Sequence, residues 1–160
     1  MLVRFIKNSP SDTTDVLTCV YPDGTSTSMP MMRQGVLPHE AFHFVVEKTL
    51  GWRDAFFGQV SHSARLAEIT AKLHDPKIDR AKNTQAVQSE ALVECLQTEQ
   101  WGGSVDPAGF ALNLLTSCRR RGVPPPDITA DELAAVRSAL REFGAAWRPL
   151  LAYSALERTF

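Results

Sequence analysis

Two imidazoles one helical turn apart, with a carboxylate between them, can hold a metal ion and move a proton beside it. The chain contains this arrangement at His39-Glu40-Ala41-Phe42-His43. Imidazole nitrogen suits zinc and its transition-metal neighbours, and a carboxylate close to such an ion can take a proton from the water it acidifies. On a helix each residue turns by about 100°, so His39 and His43 fall about 40° apart on one face. Counted from His39, Glu47 falls at about 80° and Glu40 at about 100°, while Val46 and Leu50 lie close to the origin. The histidines thus sit at the seam between an apolar face and an acidic edge. Such a position is dry enough to strengthen electrostatics and open enough to admit water.

The third ligand is open at this stage. Glu47, one turn beyond His43, could reach the ion or orient the His43 ring from behind. Glu90 and Glu94, one turn apart on a later helical segment, are alternatives. His62, in a polar Ser-His-Ser run, and His74, at the end of a helical run, complete the set of imidazoles. The same residues also have an ordinary structural use. His39 could cap the helix start, and His43 could bond Glu47, a contact worth a few tenths of a kcal/mol. Glu40 in the first turn would then complement the helix dipole.

The string His39-Glu40-Ala41-Phe42-His43 resembles the signature of the zincin metallohydrolases. That resemblance covers residues 39–43 and implies zinc bound by His39 and His43, Glu40 as general base, and a third ligand from a later helix. The departure is at Pro38. Proline suits the first helical position, which would put His39 in the first turn, whereas the zincin motif lies inside a longer helix. The distant third histidine and the Met-turn of metzincins are absent. The wider stretch, Leu37-Pro38-His39 through Val46-Glu47 to Phe57-Gly58, is also similar to a group of small uncharacterised bacterial proteins carrying Pro-His-acid-x-x-His and a following Glu. That likeness implies no particular activity, but it implies that the histidine pair and Glu47 form a unit.

The elements that must position this stretch follow from the rest of the pattern. Leu2–Lys7 alternates as a strand, and Asp15–Tyr21 is rich in β-branched and aromatic residues. Pro22-Asp23-Gly24-Thr25 is a turn signal, and Thr25–Met31 closes a hairpin in which Pro30 belongs at an edge. The motif helix runs to about Leu50, with Gly51 at its C-terminal cap, and the cluster Trp52, Phe56 and Phe57 is expected to pack beneath it. Helices are expected over Ser63–Leu73, about Asp79–Gln100, and from Asp106-Pro107 to Arg119-Arg120-Arg121, whose charges suit a helix C-terminus. After the stiff connector Val123–Asp127, Thr129-Ala130-Asp131-Glu132 reads as a capping box opening the last helix, with Leu133, Val136, Leu140 and Phe143 as its buried stripe. The apolar tail Trp147–Leu156 is expected to fold back onto the body or onto a second copy.

Composition narrows the function. A formal charge of −1 gives no electrostatic case for nucleic acid. No window approaches the ~20 apolar residues of a membrane span. The start Met1–Lys7 is too charged for a signal peptide, and three scattered cysteines, Cys19, Cys95 and Cys118, suit a reduced, cytoplasmic protein. No phosphate-binding glycine loop and no nucleophile elbow is present. Cys95 reads as core. The expectation is an α+β protein, 1–160 as one domain, with a β-hairpin region over 1–34 and four or five helices over 36–160. Its expected function is divalent-metal binding, with zinc as cofactor, and metal-assisted hydrolysis of an unknown substrate with Glu40 as base. The rival is a non-catalytic interaction or regulatory protein, using the segment Trp52–Phe57 and the C-terminal tail as a partner or homodimer surface.

Overall fold

The strict alternation of the N-terminal segments builds the sheet. In the computed structural model, which describes residues 1–160 apart from Val36, Ser63, Ala64 and Ser104, β1 (Leu2–Ile6) turns Val3 and Phe5 fully inward. Strand β2 (Thr14–Val20) does the same with Leu17 and Cys19, and β3 (Ser26–Met32) with Met31. Gly24 takes a φ of 84° in the turn, while the Asp23 carboxylate accepts from the Thr25 amide at 2.9 Å and the Thr25 hydroxyl at 2.7 Å. That local clasp fixes the hairpin register, Val20 opposite Ser26. Pro30 lies on an edge strand, where its missing N–H leaves no ladder bond unmade.

A fourth strand, β4 (Ala155–Thr159), comes from the C-terminal tail and pairs antiparallel with β1, giving the order β3-β2-β1-β4. The helical region expected over 36–160 therefore ends in a strand. Leu156 is its buried residue, and Arg4 meets Glu157 at 2.7 Å on the outer face. The tail does fold back onto the body, as the first of the two expected destinations had it.

Among the described residues six helices pack with the sheet into one body: α1 (His39–Leu50), α2 (Phe56–Ser61), α3 (Leu66–His74), α4 (Thr84–Gly102), α5 (Pro107–Arg120) and α6 (Ala130–Trp147). The architecture is α+β, with more helices than expected because α2 is a separate short helix. Ser63 and Ala64, the expected start of α3, lie outside the described residues. The start of α4 is displaced to Thr84 because Asp79 holds the chain in a turn: its side chain accepts from the Lys82 amide, and its carbonyl accepts from the Asn83 amide nitrogen Nδ2. At α6 the capping box forms as read, and Asp106 caps α5 by accepting from the amides of Ala108 and Gly109.

Helix α1 is the axle of this layer. It runs between α6 and α4, with Ala41 through Glu47 all buried. Phe44 stands edge-on to Phe5 of β1 at 5.5 Å and to Phe57 of α2 at 5.5 Å, tying sheet and helices into one core. The aromatic cluster after Gly51 is thus packing, as expected. Pro38 departs from expectation: it is the residue before the helix, with ψ 145°, and His39 is the first helical residue. Among the described residues no helix is long and apolar enough to cross a membrane.

Candidate metal centre

Helix α1 sets His39 and His43 one turn apart on the side facing α4, and α4 answers with Glu90 and, two turns on along the same line, Gln97. Three ligand atoms converge there. His39 Nε2 and His43 Nε2 are 3.1 Å apart, and Glu90 places one oxygen 3.6 Å from the first and the other 3.4 Å from the second. A tetrahedral ion with bonds of about 2.0–2.1 Å holds its ligand atoms about 3.3–3.4 Å apart. His39, His43 and Glu90 therefore lie close enough together that they could hold a metal ion.

The opposite nitrogens are held from behind. His39 Nδ1 faces the Gln97 carbonyl Oε1 at 3.3 Å, and His43 Nδ1 faces the Ser89 hydroxyl at 3.0 Å and a Glu47 oxygen at 3.4 Å. Oxygen acceptors behind both rings favour the hydrogen on Nδ1, which leaves both Nε2 lone pairs aimed at the same point. Two lone pairs and a carboxylate at such distances repel unless a cation, whether proton or metal, lies between them. The His43 titration expresses the same fact. Burial pushes this imidazole down, but the charges of Glu90 and Glu47 and their hydrogen bonds outweigh it and carry its pKa to about 10. Burial likewise pushes Glu90 up, yet His43 and His39 together hold it well below the usual carboxylate range.

The sequence candidates separate by the side of the ring that each one faces. Glu47, first in line as third ligand, is fully buried on the Nδ1 side of His43, away from the converging nitrogens. Its other oxygen accepts from the amides of Phe57 at 2.7 Å and Gly58 at 3.2 Å, so one carboxylate braces His43 and anchors the start of α2. Position 58 needs glycine for a different reason, since a Cβ there would run into the Arg53 backbone carbonyl. Glu94 points away, bound by Arg120 at 2.6 Å, Arg121 at 2.6 Å and the Ser117 hydroxyl at 2.8 Å. Burial pushes it up more than any one partner pulls it down, but together these partners hold its pKa at about 2. Two of the three arginines expected to serve the α5 dipole, Arg120 and Arg121, thus have a specific partner. His62 lies at the end of α2, and His74 bonds Thr70 O at 2.8 Å from the rim of the site.

Glu40 shares the cleft with the three converging residues, together with Met29, Phe56, Thr70, Leu73 and His74. Its Oε2 is buried and has no hydrogen-bond partner, and burial raises its carboxyl above the usual range against the pull of the histidines. The cleft holds about 50 Å³, room for a few water molecules. Ser89 and Gln97 carried no motif in the sequence. The seven-residue spacing from Glu90 to Gln97 was readable, but not that this line faces α1. No family model, curated protein or solved structure matches the chain, so the chemistry must be reasoned from these residues.

Proposed function

We propose that the protein binds one divalent transition-metal ion, with zinc the best match, through His39 Nε2, His43 Nε2 and a Glu90 oxygen, and that it hydrolyses a small substrate there. The observation that carries the metal is the 3.1 Å approach of two Nε2 atoms whose Nδ1 sides both face oxygen acceptors. Two imidazoles and one carboxylate leave a fourth position free, the mark of a catalytic rather than a closed structural site. What such an ion supplies is acidification of water at neutral pH. Glu40, with its free buried oxygen in the same cleft, takes the proton and returns it to the leaving group.

The narrowness of the cleft supports one other reading, a non-catalytic site that fastens α1 to α4 in an interaction or regulatory protein. Elemental analysis of untagged protein for zinc, iron, manganese and nickel tests the shared premise. About one ion per chain is expected, lost in His39→Ala/His43→Ala and reduced in Glu90→Gln. Absence of metal after incubation with each ion, with no change in melting temperature, refutes it. Glu40→Gln then separates the two readings: a hydrolase keeps its metal and loses roughly 10²–10⁴-fold in rate, while a structural site shows no hydrolysis of ester or phosphoester probes in either form.

A further inference from the structure

Away from the histidines, α6 and Arg148, the residue that follows it, present three arginines along one line. Arg137, Arg141 and Arg148 fall within about 40° of one another around the helix, and Gly144 lies between them on the same face. They border a cleft of about 280 Å³ whose floor is Phe42, Leu96 and Leu140. Gly144, buried beside Leu37, also lines it.

The charge in this cleft is not balanced. Glu99, its acidic residue, is taken up by Arg137 in a two-pronged pair at 3.0 and 2.6 Å. The Arg137 guanidinium also lies 4.9 Å over the Phe110 ring, so it is fixed in place. Neither the Arg141 nor the Arg148 side chain has a hydrogen-bond or ion-pair partner among the described residues. A single free arginine on a surface is ordinary. Two free guanidiniums on the rim of one concave apolar cleft, beside a third locked in position, form a receptor for an oxyanion attached to an apolar body.

We propose that this cleft binds a small organic oxyanion, a carboxylate or phosphate whose head group meets Arg141 and Arg148 and whose body rests on Phe42, Leu96 and Leu140. The site is separate from the metal centre and needs no metal. Calorimetric titration of the full chain with phenyl phosphate, 4-phenylbutyrate and inorganic phosphate tests it. At least one organic probe is expected to bind with a dissociation constant on the order of 1 mM or tighter, inorganic phosphate more weakly for want of an apolar part, and the better probe identifies the head group. Arg141→Ala and Arg148→Ala should each weaken binding about tenfold, with the fold intact because both side chains are solvent-facing. Arg119→Ala, which removes an equal charge from another surface, should leave it unchanged. No binding of any probe at about 10 mM overturns the proposal; so does binding that survives the double variant Arg141→Ala/Arg148→Ala, or that falls equally with Arg119→Ala.

Discussion

The proton on His43 and the proposed ion compete for one position, which makes the pH dependence of metal binding the sharpest available test. In the metal-free protein the His43 pKa is carried to about 10, so at neutral pH this ring holds a proton between itself, His39 Nε2 and Glu90. Metal binding must expel it. With one proton released per ion, affinity rises tenfold for each pH unit below the pKa, or about 100-fold between pH 6.5 and 8.5. A histidine of ordinary pKa near 6.5 would instead level off just above neutrality. Competition with a chromophoric chelator, whose own proton release is known, measures the slope directly. Glu90→Gln removes the leading charge that raises His43, so this variant should bind more weakly and level off earlier. The thermodynamic sign is fixed as well. Because the folded-state pKa of His43 is raised, its contribution to metal-free stability is complete below about pH 6.5 and is lost as pH rises through about 10. Glu90 is lowered, so its contribution is complete above about pH 4.5 and lost as pH falls. Metal should therefore raise the melting temperature more at pH 8.5 than at pH 6.5. A flat affinity above pH 7.5 in the wild type would refute the geometry, since it would mean that no proton is held between the rings.

Three further outcomes follow from single contacts. Gln97→Ala removes the acceptor behind His39 and should weaken metal binding about 10–100-fold with the ion's stoichiometry retained, measured by the same chelator competition. Gly58→Ala forces a methyl to 2.2 Å from a backbone oxygen and should cost about 1–3 kcal/mol, seen as a lower denaturation midpoint with Glu47 losing its grip on α2. Glu94 is depressed to about 2, so its contribution to stability is complete above about pH 4.5 and lost as pH falls; Glu94→Gln should flatten the acid limb of a stability–pH profile between about pH 2 and 4.5.

Much of the scaffold could be read because its signals are local. The Pro22–Thr25 turn, the Gly51 cap, the Asp106 cap and the Thr129 capping box each act within four residues, and each forms as its sequence suggests. The histidine pair was legible for the same reason, since helical spacing alone puts His39 and His43 together. Which carboxylate completes them was not. Glu47 and Glu90 are equally acidic in the sequence, and the choice depends on which ring nitrogen each one faces once α4 has docked against α1. Glu94 sits one turn from Glu90 but meets Arg120 and Arg121 because α5 covers that face. β4 was hidden because its pairing with β1 joins residues 149 to 157 positions apart, and Pro149 interrupts the apolar run that leads into it.

That pairing brings the first and last residues of the chain together. The Phe160 amide donates to the Met1 carbonyl at 2.9 Å, and Phe160 packs on Phe44 and Phe57. Strand β1, one of the two central strands of the sheet, is thus made long before its second neighbour, which emerges only when residue 155 and beyond are free. Until then β1 has an open edge, and the core beneath it lacks Leu156 and Phe160. Folding of the layer that holds α1 is therefore tied to the arrival of β4 and Phe160. The topology is in effect a closed loop: a short link from 160 to 1, with a new break at the exposed Asp23–Gly24 turn, would keep every strand neighbour in place.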